Sequence, residues 1–175
     1  MKAPTLKQLN EVRQEGFRPG VVACIINNNQ ILMFFKKEYG LWQFPQGRVN
    51  NKEEPIDALK KVLLEELGEN FSKKLDFEKA EFIEQDRMEF KPGRHKIGTL
   101  ADDEGHEVTM MGKEYYFYAL NSSTQELEIS QTQFDENFWM SFREAYFISD
   151  KIYQKGKRRI TLKVVSTLQS LGMIT

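Results

Sequence analysis

Two adjacent glutamates near the end of a predicted helix are the residues of this chain best suited to chemistry. The helix is expected over residues 54–67, and Glu65 and Glu66 lie in its last turns. At about 100° per residue, Glu66 falls inside the apolar stripe of the helix, between Val62 and Leu59. A carboxylate on a core-facing surface is costly unless it is paired or binds a cation. The two glutamates therefore indicate a site for an ion pair or a bound cation, and an ordinary solvated helix end is the alternative interpretation.

The segment before this helix must bring the chain to the same site. Residues 42–44 read as a short strand that leads into a turn at Gly47. Asn50 or Asn51 is expected to cap the helix N-terminus, because asparagine side chains accept hydrogen bonds from free amides there. Gly68 is suited to end the helix. The predicted order is strand, glycine turn and helix.

The rest of the chain alternates strand and helix patterns. Residues 21–26 and 31–35 predict a hairpin, because Asn27 to Asn29 between them tolerate left-handed turn geometry. Residues 1–15 could form a short polar helix or remain loose, and residues 76–90 are ambiguous between helix and strand. Further strands are expected at 114–120, 127–129 and 138–142, and helices at 143–148 and 155–171. The pattern favours an α+β sandwich with helices outside.

Composition restricts the class of protein. The chain has 175 residues, of which 40% are apolar and 29% charged, as expected of one globular domain over residues 1–175. A net charge of −1 leaves only local patches to bind polyanions. One cysteine excludes an internal disulfide, and no apolar run reaches the length of a secretory or membrane segment. We expect a cytoplasmic protein, and no obligate protein partner is evident.

Residues 47–69 resemble the Nudix box. That pattern is Gly, five residues, Glu, seven residues, then Arg-Glu-U-x-Glu-Glu-x-Gly-U, with U a bulky aliphatic residue. Six positions of this chain fall on it without a gap: Gly47, Glu53, Leu63, Glu65, Glu66 and Gly68. The sequences GFRP at residues 16–19 and WQFPQG at residues 42–47 are similar to the branch that contains bacterial RNA 5′-pyrophosphohydrolases and dinucleoside polyphosphate hydrolases.

The resemblance implies a fold and a metal site. The fold would be the Nudix fold, an α/β/α sandwich with a mixed β-sheet. The ligands of Mg²⁺ or Mn²⁺ would be the Gly47 carbonyl and the carboxylates of Glu65 and Glu66. Glu53 and Lys61 would form a structural ion pair, and Gly68 would close the helix. Clustered oxygen ligands suit these cations, which activate water for attack on phosphorus.

The box of this chain departs from the pattern. Lys61 replaces the arginine of the box and keeps its charge, but Val62 stands where the family has a metal-binding glutamate. Gln133 occupies the expected place of a further glutamate in the loop before a tryptophan-containing strand. Arg48 and Glu69 are smaller departures. Val62 can be neither a ligand nor a base, and the alternative interpretation is that it simply extends the apolar face of a protein that binds nucleotides without hydrolysing them well.

Other acids could replace the missing glutamate. We expect Asp135 to be a catalytic residue together with Glu65 and Glu66. Glu136 and the acids of residues 102–104 are alternatives to Asp135. Losing a general base typically lowers the rate about 10²–10⁴-fold. A plain surface loop is an equally acceptable interpretation of Gln133 and Asp135.

Basic residues supply candidate contacts to phosphate groups. In the branch, cations near three of these positions meet substrate phosphates, and a further basic run lies near the C-terminus. The candidates are Arg18, Lys36, Lys37, Lys155 and Arg158. A solvated helix face is the alternative for the C-terminal run, because charge runs usually have that origin. The aromatic strand YYFY at residues 115–118 is expected to be core on alternate residues, although an exposed ring could stack on a base.

The implied activity is hydrolysis of a nucleoside-diphosphate-linked phosphoanhydride by metal-activated water. The favoured substrates are the 5′-triphosphate end of RNA and dinucleoside polyphosphates. Val62 and Gln133 keep open a weakened Nudix-like module that binds a nucleotide or an RNA end. A hydrolase of another small nucleotide is the third possibility.

Overall fold

The computed structural model describes residues 1–91, 93 and 98–175, and this part of the chain forms a mixed sheet between two layers of helices. The strands are β1 Phe17–Asn27, β2 Gln30–Lys36, β3 Leu41–Gln43, β4 Gln46–Arg48, β5 Glu81–Glu89, β6 Thr99–Ala101, β7 Glu107–Thr109, β8 Gly112–Asn121 and β9 Glu136–Met140. The helices are α1 Leu6–Gln14, α2 Pro55–Leu67, α3 Glu69–Ser72, α4 Phe142–Asp150 and α5 Lys155–Ser170.

The main sheet has the strand order β3-β2-β1-β8-β5, with β4 paired to β1 and β9 paired to β2. Strands β1 and β8 run parallel, whereas the other pairs in this sheet are antiparallel. Strands β6 and β7 form a separate two-stranded hairpin. The predicted hairpin of β1 and β2 is present, and Asn28 and Asn29 turn it with φ angles of 49° and 58°.

Two hydrophobic cores lie on opposite faces of the sheet. Helices α1, α2 and α3 pack on one face, and helices α4 and α5 pack on the other. The aromatic strand β8 serves both: Tyr116 and Tyr118 enter the first core, and Tyr115 and Phe117 enter the second. All four rings are buried, so none is an exposed stacking platform. The predicted α/β/α sandwich is confirmed, since both faces of β1 and β8 are covered by helices.

Several local predictions differ from the structure. Helix α2 has Glu54 at its N-cap and no capping side chain, so the predicted asparagine cap is wrong. Residues 127–129 form no strand; Leu127 and Ile129 pack on the first core from an irregular segment that ends in a short 3₁₀ turn. Residues 81–89 of the ambiguous region are a strand, and residues 6–14 are a helix that begins at a capping box between Thr5 and Gln8.

Among the described residues, no helix combines the length and the apolar character that crossing a membrane requires.

Candidate metal and phosphate site

Helix α2 carries Glu65 and Glu66 to the edge of the first core. Val62, Leu63 and Leu67 are buried against the sheet, which turns the neighbouring Glu66 inward while Glu65 stays exposed. Gly68 ends the helix with a φ of 84°, a left-handed value that glycine adopts readily. The apolar stripe therefore holds Glu66 at a partly buried position, as the helical wheel predicts.

A cavity of about 260 Å³, which we call the carboxylate cavity, opens beside these glutamates. Its wall comes from β4, the following loop and helix α2, and its lining residues are Gln46, Gly47, Arg48, Asn50, Lys61, Val62, Glu65 and Glu66. The structure thus brings together Gly47, Glu65 and Glu66, the three residues expected to hold a cation.

Glu66 is electrostatically unusual. Its Oε2 atom is buried and has no hydrogen-bond partner among the residues that the structure describes. Burial raises the pKa of Glu66 to about 7; a hydrogen bond from the Gln46 backbone opposes this rise, the charge of Glu65 adds to it, and Lys36 lowers it. Without a ligand, a large fraction of Glu66 is therefore protonated near neutral pH.

These features fit a divalent cation. The cavity lining contains a buried carboxylate oxygen of Glu66, a second carboxylate one residue away and the backbone of Gly47, and oxygen donors of this kind are the ones that Mg²⁺ and Mn²⁺ prefer. A bound cation would also place a positive charge next to the Glu66 carboxylate and so favour its ionised form.

Val62 closes one side of this cavity with hydrocarbon. The residue is 4% exposed, and a Cβ placed on Gly47 would lie 2.3 Å from Val62 Cγ2. The side chain consequently packs on the backbone of the glycine whose carbonyl is the expected ligand. Val62 thus lines the cavity at the position where the Nudix box has a glutamate.

The structural ion pair of the box is formed. Lys61 Nζ lies 2.9 Å from Glu53 Oε1 and 3.1 Å from Glu53 Oε2. Burial alone would raise the pKa of Glu53, but hydrogen bonds from Lys61 and from the Asn50 amide hold it below its usual value. Glu53 is therefore a charged anchor between the loop and α2.

The loop before β9 approaches the end of α2 through Gln133. Its backbone amide donates to the Glu66 carbonyl at 2.9 Å, and its side chain donates to the Glu65 carbonyl at 3.2 Å. Lys36 Nζ donates to the Gln133 carbonyl. Asp135 Oδ2 accepts the Lys37 amide at 2.7 Å, and Asp135 is not among the residues that line the carboxylate cavity. Its catalytic role stays a prediction.

The acids of residues 102–104 serve another contact. Asp102 is 5% exposed, and its carboxylate accepts hydrogen bonds from Glu104, His106 and Gln14. Asp103 binds Arg13. Asp102, Glu104 and His106 could offer ligand atoms to a metal within 4.8 Å of one another, but Asp102 is already saturated by donors. None of them lines the carboxylate cavity.

A second cavity, of about 180 Å³, is cationic and shares Gln46, Gly47 and Arg48 with the carboxylate cavity. Arg18 and Lys113 complete its charged lining. The parallel pairing of β1 and β8 sets these two residues side by side in register. Like charges on neighbouring strands repel, and no ion pair to an acid is formed by Arg18, Arg48 or Lys113 among the described residues.

Lys113 is a cation of this cavity that sequence reasoning missed, and Arg48 is another. Burial, together with the charges of Arg18 and Lys157, lowers the pKa of Lys113 to about 8. The only signal in the sequence is one lysine at the start of an aromatic strand, and local pattern does not reveal that the strand will lie beside Arg18. Long-range pairing creates this site.

The C-terminal basic run divides into two groups. Arg159 binds Asp86, and Lys163 binds Glu84 and Asp86, so these two cations hold α5 to β5. Lys155 and Arg158 form no ion pair in the described part of the chain. Their predicted contact with substrate remains a prediction.

Comparison with known proteins identifies the family. The family model of the NUDIX domain matches residues 16–164. A curated relative named RNA pyrophosphohydrolase, from Thioalkalivibrio sulfidiphilus, is 26% identical over 159 residues, which cover 83% of this chain and 85% of the relative. A second relative of that name, from Acinetobacter baylyi, is 28% identical over 138 residues, or 75% of this chain and 77% of the relative.

Solved structures agree on the fold. A protein from Jonesia denitrificans, described as a possible asymmetric diadenosine tetraphosphate hydrolase, superposes with a TM-score of 0.61 at 18% identity, covering 91% of this chain and 97% of that one. The E. coli dihydroneopterin triphosphate pyrophosphohydrolase gives a TM-score of 0.57 at 13% identity, with coverage of 86% and 97%. The predicted family, fold and general class, a Nudix hydrolase of phosphoanhydrides, are confirmed: this chain belongs to the Nudix family.

Proposed function

We propose that this protein hydrolyses its phosphoanhydride with a divalent cation, Mg²⁺ or Mn²⁺, held by Glu65, Glu66 and the Gly47 carbonyl. The observation that carries the proposal is the buried, unpartnered Oε2 of Glu66 in a cavity shared with Glu65. A buried carboxylate oxygen is costly without a partner, and a cation would provide one. When bound, the cation would screen phosphate oxygens and lower the pKa of the attacking water.

The favoured substrate is the 5′-triphosphate end of an RNA, with a dinucleoside polyphosphate as the close alternative. Support comes from the adjoining cationic cavity, which is lined by Arg18, Arg48 and Lys113, three residues without an ion pair in the described part of the chain. A chain of phosphates could extend from the carboxylate cavity into this one, because the two share the wall formed by β4. The curated relatives named RNA pyrophosphohydrolase favour the RNA end.

The residues of this chain divide the work. Glu65 and Glu66 would hold the metal cation next to the phosphate groups. The basic side chains of the second cavity would stabilise the negative charge of the leaving phosphates. Asp135 is the proposed proton acceptor, because its carboxylate is exposed on a loop that contacts the end of α2. Lys155 and Arg158 would contact more distant phosphates of a long substrate.

One observation favours a second candidate function. Val62 occupies the position of a metal-binding glutamate and seals it with hydrocarbon. With two carboxylates instead of three, the site could bind nucleotides or RNA ends and turn them over slowly. A third candidate, a hydrolase of a nucleotide sugar or of a damaged nucleoside triphosphate, uses the same cation site with a different substrate.

Pyrophosphate release separates these candidates. We expect release from a 5′-triphosphorylated RNA, with Mg²⁺ or Mn²⁺, that falls at least about 100-fold in Glu66→Gln. The matched control is Glu69→Gln, since Glu69 is an exposed glutamate that pairs with Lys73 outside the cavity. Binding without turnover of RNA or dinucleoside tetraphosphate would establish the binding module. Turnover confined to a nucleotide sugar or a damaged triphosphate would establish the third candidate.

We also propose that residues 1–175 act as one domain in the cytoplasm. Support for one domain comes from α1, which packs on the same core as α2. The single cysteine, which is free and buried, supports a reducing compartment.

A further inference from the structure

Arg13 places a buried charge on the backbone of the box loop, by which we mean residues 49–53. Its Nη2 donates to the carbonyl oxygens of Val49 at 3.0 Å and Asn50 at 2.9 Å. The residue is only 3% exposed. A buried guanidinium is unfavourable unless its donors are used, so these hydrogen bonds tie the loop firmly to helix α1.

Helix α1 is itself well anchored, although it is short. A reciprocal capping box between Thr5 and Gln8 defines its first turn. Leu9 is fully buried in the core that also receives α2. Isolated helices of this length are marginal in water, so the packing of Leu9 and the contacts of Arg13 keep α1 in place.

The β6–β7 hairpin holds the box loop from a second side. Asp103 Oδ1 accepts from Arg13 at 3.3 Å and from Asn51 Nδ2 at 2.9 Å. Asn51 Nδ2 also donates to the Ala101 carbonyl at 3.0 Å. The Asp103 amide donates to Asn10 of α1 at 2.7 Å. We call α1 together with the β6–β7 hairpin the clamp.

The box loop leads directly to the carboxylate cavity. The Asn50 amide donates to Glu53 Oε2 at 2.8 Å, and Lys61 binds the same carboxylate. Asn50 and Lys61 both line the cavity. Lys52 has a left-handed φ of 61°, which is uncommon for a residue other than glycine and needs support from its surroundings.

We infer that Arg13 is a positioning residue of the cation site, and that the clamp fixes the box loop so that the cavity keeps its shape in the absence of a cation. The effect of Arg13 on cation binding rests on the proposed function, whereas its effect on the order of the box loop does not. Arg13 acts through the carbonyls of Val49 and Asn50, then through Glu53 and Lys61 to the cavity wall. Groups behind metal ligands commonly change metal affinity about 10–100-fold when removed.

Amide hydrogen exchange and Mn²⁺ titration of the whole protein test this inference. In Arg13→Met we expect the amides of Asn50 and Glu53 to exchange at least about tenfold faster, and the Kd for Mn²⁺ to rise about tenfold. Arg13→Lys should recover part of both, because it keeps a charged donor. The matched control is Glu15→Gln, which removes the Glu15–Arg87 ion pair beside α1 and touches neither the box loop nor the cavity.

The outcomes separate the clamp from the cation site. Unchanged exchange and unchanged Mn²⁺ affinity in a folded Arg13→Met variant would overturn the inference. Faster exchange in a protein whose wild type binds no Mn²⁺ would support the clamp and contradict the proposed cation site. If Arg13→Met does not fold, Asn51→Ala replaces it: the loss of its two hydrogen bonds should give the same changes at smaller size, and an unaltered loop would again reject the clamp.

Discussion

The side chain of Val62 packs on the backbone of Gly47. A Cβ at residue 47 would stand 2.3 Å from Val62 Cγ2, closer than real Cβ atoms approach other atoms. Val62 also belongs to the first core and is 4% exposed. A position that holds a third carboxylate in the Nudix box is thus used here for packing. The same residue therefore contributes to the packing of α2 and leaves the cavity without a third carboxylate.

Val62→Glu is expected to raise cation-dependent hydrolysis. The new carboxylate would enter the cavity that Glu65 and Glu66 line, where it can add an oxygen ligand or accept a proton. We expect kcat/KM for triphosphorylated RNA to rise about tenfold or more. Val62→Gln has the same shape without the charge and should show no such gain.

Stability provides a second measurement for Val62→Glu. Without a cation, the variant should unfold at a lower temperature than the wild type, because it buries a further acid beside Glu66. Mg²⁺ should restore much of this loss by binding the folded state. If activity stays at the wild-type level while Mg²⁺ still stabilises the variant, another acid already serves as the base.

Gly47→Ala should destabilise the protein by about 1–3 kcal/mol, because the added methyl group overlaps Val62. In the background of Val62→Ala the same change should cost less, since the methyl groups it meets are gone. Urea unfolding of the wild type, both single variants and the double variant measures the coupling. We expect a coupling free energy of at least about 0.5 kcal/mol, and additive effects would show that the contact is not limiting.

The parts of the fold that were predictable depend on short-range patterns. The β1–β2 turn follows from consecutive asparagines, and the C-terminus of α2 follows from Gly68. The inward position of Glu66 follows from helical periodicity alone. Local spacing determines these features, so they can be predicted without knowing which elements pack against them.

The parts that were not predictable depend on tertiary neighbours. Residues 127–129 have the apolar pattern of a strand, but Leu127 and Ile129 pack partly buried on the first core and belong to no strand. Lys113 and Arg18 are distant in the sequence and adjacent only because β1 and β8 pair in parallel. Arg13 looks like an ordinary surface charge in a polar helix until Val49 and Asn50 are placed against it.

Arg18→Gln and Lys113→Gln are expected to weaken substrate binding more than they slow the chemical step. Both cations line the cavity beside the carboxylates, and neither forms an ion pair with an acid within residues 1–91, 93 and 98–175, which suits the proposed contact with phosphate. We expect KM for triphosphorylated RNA to rise about 5–20-fold, with a weaker dependence on salt. Steady-state kinetics at two salt concentrations measures both effects.

Arg159→Gln is the control for these two variants. Arg159 binds Asp86 and the Arg87 carbonyl, so its charge is already used within the protein. The variant should lose some stability and keep its KM. An equal rise of KM in Arg159→Gln and Arg18→Gln would show that net charge, rather than the cationic cavity, determines substrate affinity.

The contribution of Lys113 to the stability of the protein should rise with pH between about pH 8 and 10.5. Folding lowers the pKa of this lysine from 10.5 to about 8, through burial and the charges of Arg18 and Lys157. In that window the unfolded chain binds more protons than the folded protein, so raising the pH favours the folded state. Below pH 8 both states are protonated, and the repulsion in the folded state is fully present.

Comparison with Lys113→Met isolates this effect. The other ionisable groups that line the cavity are Arg18, Arg48 and Tyr115; burial raises the pKa of Tyr115, and all three are the same in both proteins. Urea unfolding at pH 7.5 and pH 10 should therefore show the wild type gaining roughly 1–2 kcal/mol relative to Lys113→Met, less than the full shift because the ammonium group is partly solvated. An equal response of the two proteins would mean that Lys113 is solvated in the folded protein. Its ammonium group would then not be destabilised by burial and by Arg18, and a bound phosphate would have no such destabilisation to relieve.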